Sequence, residues 1–166
     1  TFIPVWIVAV YAEKAGVAPV WIGPVWAAAN YTVALGLWAG DGAGRRLGRF
    51  PALAVCVFLI GVGLVGMGVS HAIWGFAFYF AVCLGRGLNG PILSPIQQRL
   101  IPSRDRASLL SINSMVFRLA FFVLGPLLGI GVDRFGEHFV LLVSATLALP
   151  LCAVALLWLR RTLSTG

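Results

Sequence analysis

Two arginines lie inside long apolar segments of the chain, at positions where a charge needs a physical reason. Arg86 and Arg118 each lie within a stretch that is long and apolar enough to cross a membrane, and neither has an acidic residue within reach on its own helix. An arginine near the centre of a bilayer costs about 2.5–3.5 kcal/mol even on the mildest scale, so intramembrane charges usually mark functional sites. The two guanidinium groups therefore predict a transport or binding site within the membrane.

Both arginines belong to polar helix faces. The members of these faces recur at helical spacing and are Arg86, Asn89 and Gln97 in one segment and Ser111, Ser114 and Arg118 in the next. Lipid cannot solvate such faces, so they should point toward a protein interior or a water-filled cavity. Asn30 and Tyr31 add polar groups to a third segment. Helix geometry also predicts that the two arginines lie at similar depth, each about 22 Å from the outer surface.

The composition shows that the solvent for most of the chain is lipid. Of the 166 residues, 60% are hydrophobic and 10% are charged, and the mean hydropathy is +0.98. Soluble domains carry about 25% charged residues. The three cysteines are far apart and lack metal-ligand spacing, so neither a disulfide framework nor a metal site is expected.

The apolar pattern predicts an all-α, polytopic membrane helical bundle with five full spans and one partial span, since a span needs about 20 apolar residues. The predicted segments are 1–12, 20–41, 50–69, 72–99, 106–132 and 138–160. Pro91 and Pro95 should kink the fourth span rather than end it, because neighbouring helices can satisfy the freed backbone groups. Pro102, Ser103 and Asp105 should open the fifth span.

The basic residues are distributed unequally between the two sides of this topology. Eight arginines share one side, namely Arg45, Arg46, Arg49, Arg99, Arg104, Arg106, Arg160 and Arg161. Lys14 and Arg134 lie on the other side, so the positive-inside rule makes the arginine-rich side cytoplasmic. We therefore expect an integral, multi-pass protein of the plasma (inner) membrane. The basic loops form no continuous face for nucleic acid, and anionic headgroups of the lipid bilayer are the expected neighbours.

Several of these residues also have a structural interpretation. Arg86 could bind a backbone carbonyl freed by Pro91, and Arg118 could likewise stabilise packing alone. Asn30 and Asn89 could be interhelical hydrogen-bonding residues. A further set of small residues, spaced four apart, predicts close helix packing and consists of Gly36, Gly40 and Gly44.

Three runs, in order along the chain, resemble motifs of a known transporter family. They are the glycine-rich span and basic loop from Gly36 to Arg49, the RGLNGP run from Arg86 to Pro91, and FRLAFFVLGPLLGIGVDRFG from Phe117 to Gly136. Together they resemble the carboxy-terminal half of a major facilitator superfamily transporter. The resemblance implies that residues 1–166 form one six-helix half with a truncated first helix, that an amino-terminal half is missing, and that the third and last spans are peripheral.

The resemblance also assigns roles to individual residues. It implies a cytoplasmic gating loop comprising Asp41, Arg45, Arg46, Gly48 and Arg49, although Arg45 stands where the family has an acid. Arg86 and Gly90 are similar to the RxxxG motif, whose arginine is linked to proton movement in the family. The helix-packing and kink positions implied or predicted in the later spans are Pro91, Gly125, Pro126 and Gly129.

The expected function is secondary active transport of a small solute by alternating access, with proton-coupled efflux as the implied subtype. The expected transport cavity contains Asn30, Tyr31, Arg86, Asn89, Gly90, Gln97, Ser114 and Arg118. An anionic substrate, or a carboxylate of the amino half, could satisfy the two arginines. Apart from Asp41, the last residue of the segment 20–41, the predicted spans contain no acidic residue, so a proton-binding carboxylate is expected in the missing half.

Two other classes of function are open to the sequence. A membrane scaffold or assembly protein would use its arginines only for backbone contacts. A polytopic enzyme would need a catalytic constellation, and the chain contains no HExxH motif, paired carboxylates or matching serine and histidine. We therefore expect neither catalysis nor a cofactor.

Overall fold

The computed structural model describes residues 3–70, 73–100 and 106–164, and these residues form a helical bundle without strands. Its α-helices are α1 (Ile3–Lys14), α2 (Ile22–Arg46), α3 (Arg49–Val69), α4 (Gly75–Leu100), α5 (Arg106–Phe135) and α6 (Glu137–Ser164), and a 3-10 helix (Pro19–Trp21) precedes α2. The predicted all-α class is confirmed. Helices α2 to α6 are each long and apolar enough to cross a membrane, as predicted. With 12 residues, α1 spans only about 18 Å.

The helix ends differ from the predicted segments in ways that the local sequence explains. Helix α2 extends to Arg46, so that Arg45 and Arg46 lie in its last turn, where positive charge complements the helix dipole. Helix α4 continues through both Pro91 and Pro95, as predicted. The predicted opening residues of α5, namely Pro102, Ser103 and Asp105, lie outside the described residues.

Adjacent helices run in opposite directions, so the bundle has two ends. Arg160, near the carboxyl end of α6, places its guanidinium 5.6 Å from the ring centroid of Phe50, at the start of α3. Arg46, the last residue of α2, precedes α3 at this end, which we call the Arg46 end. The opposite end, called the Glu137 end, holds the last residues of α1, α3 and α5 and the first residues of α4 and α6.

Glycines bring α2 and α4 into backbone contact. A Cβ atom on Gly87 would lie 2.3 Å from the carbonyl oxygen of Val33, and one on Gly36 would lie 2.9 Å from the Cα atom of Gly87. A Cβ atom on Gly40 would lie 3.0 Å from the Pro91 ring. Larger side chains at these positions would separate the two helices, so the small residues set the distance between them.

Helix α3 packs against both α4 and α6 and is more than a lipid-facing helix. Its glycines face neighbouring helices, because a Cβ on Gly63 would lie 2.7 Å from the Phe78 carbonyl oxygen and one on Gly68 would lie 2.8 Å from Leu142. One apolar stripe of α3, including Phe58 and Val62, remains exposed. The expected peripheral position therefore applies only to this exposed face of α3, whereas its glycine-bearing faces pack against neighbouring helices.

Helix α5 is the least packed helix of the bundle. No described residue of Ser111–Phe135 is buried. Its contact with α6 is made near the Glu137 end, where a Cβ on Gly131 would lie 3.1 Å from Val140. Helix α1 instead places Ile7, Val8, Tyr11 and Ala12 in the main apolar core.

Candidate functional site

Arg86 lies on α4 at the crossing with α2. It directly precedes Gly87, the residue in backbone contact with α2, and its side chain is half-buried. Two buried polar side chains, Tyr79 and Cys83, precede Arg86 on α4 and form a hydrogen bond with each other. Both interact electrostatically with the Arg86 guanidinium. The packing of α4 between α2 and α3 therefore holds this guanidinium within the bundle, beside a short polar strip.

The neighbours of Arg86 in the RGLNGP run lie around the same crossing. Asn89 and Pro91 are half-buried, whereas Gly90 is exposed and would bring a Cβ to 3.3 Å from Leu37. Gln97 lies farther along α4, and its side chain is outside the described part of the molecule. The run thus forms the α2–α4 contact and carries Arg86 and Asn89 at half-buried positions.

Arg118 lies on α5 and lines a cleft of about 770 Å³ between α5 and α1. Helix α1 contributes Ile7 and Val10, and α5 contributes mainly apolar side chains, among them Phe117, Phe121 and Phe122. The predicted packing positions on α5 also line this cleft and are Gly125, Pro126 and Gly129. Arg118 is therefore a cation at one end of a mostly apolar, partly open space.

The charge of Arg118 is not compensated within the described part of the chain. Its side chain is exposed and forms no hydrogen bond or ion pair with any described residue. Asp133 lines the same cleft but lies 15 positions away on α5, or about 22 Å along the helix. The cleft can therefore offer a positive charge to a ligand, to water or to a group from outside this chain.

The other predicted cavity residues whose side chains the structure describes do not line this cleft. Ser114 lies one turn before Arg118 on α5 and is exposed. Asn30 and Tyr31 are exposed on α2, and the Asn30 amide donates to the Trp26 carbonyl oxygen of its own helix at 2.8 Å. Among the described residues, Arg86 does not line the cleft that contains Arg118.

The predicted gating loop is much shorter than the sequence suggested. Asp41, Arg45 and Arg46 belong to α2, and Arg49 is the first residue of α3. Only Leu47 and Gly48 connect the two helices, and Gly48 has a φ of +86°, which favours glycine. The loop is thus a tight turn between two helix ends that carry the basic residues.

A polar cluster at the Glu137 end was not predicted from the sequence. Glu137, the first residue of α6, has a side chain only 4% exposed and contacts the Lys14 ammonium of α1. His138 places Nε2 3.6 Å from the Glu137 carboxylate and Nδ1 3.3 Å from the Met67 carbonyl oxygen. The Tyr11 hydroxyl donates to the Ser70 carbonyl oxygen at 2.7 Å. These residues join α1, α3 and α6.

A sequence signal for this cluster was present in the charge pattern. Lys14 ends one apolar segment and Glu137 begins another, and the predicted topology places both at the same membrane surface. Opposite charges at neighbouring helix ends are a candidate ion pair. The pairing could be identified only when the fold placed α1 beside α6.

No protein-family model, curated protein or solved structure matches the chain.

Proposed function

We propose that this chain is one helical half of a secondary transporter of the major facilitator type and that the face of α5 bearing Arg118 lines the solute pathway. A polar helix face carries the proposal. Among the residues of α5 that could lie in the membrane, Ser111, Ser114 and Arg118 share one face, and all three are exposed. Acyl chains cannot solvate such a face, so a watery pathway or a second bundle should cover it.

The cleft beside Arg118 indicates the chemistry of the solute. Its described walls are mainly aromatic and aliphatic, with Arg118 as their one cation and Asp133 about 22 Å away along α5. A guanidinium is charged at all physiological pH values and binds a carboxylate through two parallel hydrogen bonds. The substrate class that suits this cleft is a small organic anion with an apolar body.

Alternating access would move this half against an amino-terminal half, with the solute between them near the midplane. Arg86 supports the pathway from α4, since it lies half-buried at the glycine-mediated crossing with α2. The α2–α4 contact is close and made by backbone atoms, whereas α5 is loosely packed. This contrast supports a division of the bundle into a rigid part, α2 to α4, and a loosely packed α5 whose face contacts the solute and the amino-terminal half.

The ligand proposal can be tested with 2-naphthoate, which has a carboxylate and an apolar aromatic body. The full chain is placed in lipid nanodiscs, and binding is measured by equilibrium dialysis against protein-free nanodiscs. We expect Arg118→Gln to weaken binding at least tenfold, a loss of about 1.4 kcal/mol. Arg134→Gln removes the same charge from an exposed position at the Glu137 end and should change binding less than twofold.

Two outcomes would overturn the ligand proposal. One is no saturable binding of 2-naphthoate, and the other is an equal effect of the two arginine substitutions. The neutral analogue 2-naphthylmethanol separates the charge from the apolar body, because its binding should not depend on Arg118. A membrane scaffold whose arginines contact only backbone would bind neither compound saturably.

A further inference from the structure

The buried carboxylate at the Glu137 end is in an unusual position for an acidic group. Glu137 is the one charged residue among the described residues that is fully buried. It begins α6 directly after Gly136, whose φ of +85° reverses the chain between α5 and α6. A buried carboxylate is stable in its ionised form only while a cation or strong hydrogen-bond donors compensate it.

The compensation of Glu137 comes from two different helices. Lys14 belongs to α1, and its ammonium contacts Oε2, while the ring of His138, on α6 itself, faces Oε1. Tyr11 of α1 also lies near Glu137, but the carboxylate disfavours ionisation of its hydroxyl, so Tyr11 adds no compensating charge. From α3 and the residue that follows it, the cluster receives the backbone carbonyls of Met67 and Ser70.

The remaining charged groups near the cluster point toward solvent. Glu13 on α1 is exposed, as are Asp133 and Arg134 at the end of α5. Helix α4 contributes the apolar ring of Phe76, which packs against Tyr11 with centroids 5.7 Å apart. His71, which precedes α4, lies outside the described residues.

The position of Lys14 makes the charge of Glu137 dependent on α1. If α1 moves away from α6 at this end, the carboxylate loses its ammonium partner but keeps two groups that travel with it on α6, namely its own backbone N–H and the His138 ring. The low-polarity surroundings then favour the neutral acid, and a proton replaces the ammonium. Linkage is reciprocal, so proton binding to Glu137 weakens the association of α1 with α6 by the same factor by which their separation strengthens proton binding.

We propose that Glu137 is a proton-binding site coupled to the position of α1, so that proton uptake releases α1 from α6 and reshapes the α1–α5 cleft. The cleft is affected because Ile7 and Val10 of α1 form one of its walls. This inference deepens the proposed function, since it gives this half its own proton-binding carboxylate. The linkage between Glu137 and Lys14 itself involves no transport and can be tested separately.

The protonation of Glu137 can be measured by infrared spectroscopy. The full chain in lipid vesicles is titrated with acid while the C=O stretch of protonated carboxyl groups is recorded, and the band absent from Glu137→Gln is assigned to Glu137. We expect Lys14→Gln to raise the midpoint of this band by about one pH unit or more, because the ammonium no longer favours the carboxylate. Lys14→Arg retains the positive charge and should leave the midpoint close to that of the unsubstituted chain.

Glu13→Gln is the matched control, since it removes an acid one residue from Lys14 that is exposed to solvent. It should leave the Glu137 midpoint unchanged. His138→Gln removes the partner carried by α6, so the midpoint should change while its dependence on Lys14 persists. An equal midpoint in the unsubstituted chain and Lys14→Gln, or no band that depends on Glu137, would overturn the proposal.

The coupled movement can be measured between spin labels on α1 and α6. Ala9 and Phe139 are exposed positions for the labels, in a background where Cys56, Cys83 and Cys152 are replaced. We expect the distance between the labels to increase as Glu137 takes up its proton, and Glu137→Gln to show the longer distance at every pH. A distance between the labels that changes with neither pH nor Glu137→Gln would refute the coupling. Because neither measurement uses a solute, a failed 2-naphthoate test would leave their results interpretable.

Discussion

The Lys14 ammonium contacts the carboxylate of Glu137, a residue 123 positions away, and so joins the last residue of α1 to the first residue of α6. The carboxylate is buried, whereas the lysine side chain is 53% exposed. Removing Lys14 and removing Glu137 therefore leave the remaining charge in different environments. An unpaired Lys14 can be hydrated, but an unpaired Glu137 charge remains in low-polarity surroundings.

This asymmetry predicts unequal effects of removing each charge. We expect Lys14→Gln to lower the free energy of unfolding by about 1–2 kcal/mol near neutral pH, less than for a fully buried pair because water reaches the lysine. Glu137→Gln should cost less, and adding it to Lys14→Gln should recover part of the loss. Chemical unfolding in mixed micelles, followed by circular dichroism, measures all three variants. Strictly additive losses in the double variant would argue against a direct interaction.

The α2–α4 crossing predicts a strong dependence on side-chain size at Gly87. Gly87→Ala would place a Cβ 2.3 Å from the Val33 carbonyl oxygen, so the two helices must separate. We expect a loss of about 1–3 kcal/mol, the usual cost of overpacking. The same unfolding measurement on Gly129→Ala is the control, since no atom lies within 4 Å of the added methyl group. That variant should be neutral or more stable by up to about 1 kcal/mol, because alanine favours helix. Equal losses at the two glycines would contradict the described contact.

Tyr11 predicts a smaller and more specific effect at the same end of α1 as Lys14. Tyr11→Phe removes the hydroxyl that donates to the Ser70 carbonyl oxygen but keeps the ring that packs edge-on against Phe76. We expect a loss of about 1 kcal/mol in unfolding free energy, typical of one hydrogen bond. Tyr31→Phe is the control, because the Tyr31 side chain is exposed on α2. A loss no greater than that of the control would mean that this hydrogen bond does not stabilise α1.

The helices could be predicted from the sequence because lipid imposes simple rules on span length and polarity. Apolar runs predicted all five long helices. The spacing of Gly36 and Gly40 indicated a close helix contact but did not identify α4 as the partner helix. The third span was harder to interpret. Its lack of polar groups suggested a lipid-facing helix, whereas its small residues, such as Gly63 and Gly68, allow α4 and α6 to approach.

The polar sites could be predicted only as far as each helix alone determines them. Arg86 and Arg118 are visible in the sequence because a charge is rare in an apolar run. The α1 wall of the cleft beside Arg118, and the partnership of Lys14 with Glu137, depend on which helices become neighbours. Residues far apart in sequence form these contacts, and the periodicity of a single helix contains no information about them.

The central claim is that the polar face of α5 faces water or solute rather than acyl chains, and cysteine labelling tests it directly. Ser114→Cys lies on the face of Arg118, whereas Val116→Cys lies two residues away, about 200° around the helix and at nearly the same depth. Both variants are made in a background lacking Cys56, Cys83 and Cys152 and are treated in native membranes with a membrane-impermeant thiol reagent. We expect the cysteine at position 114 to react with the reagent and the one at position 116 to be protected. Reaction at 116 with protection at 114, or no reaction at either position, would contradict it.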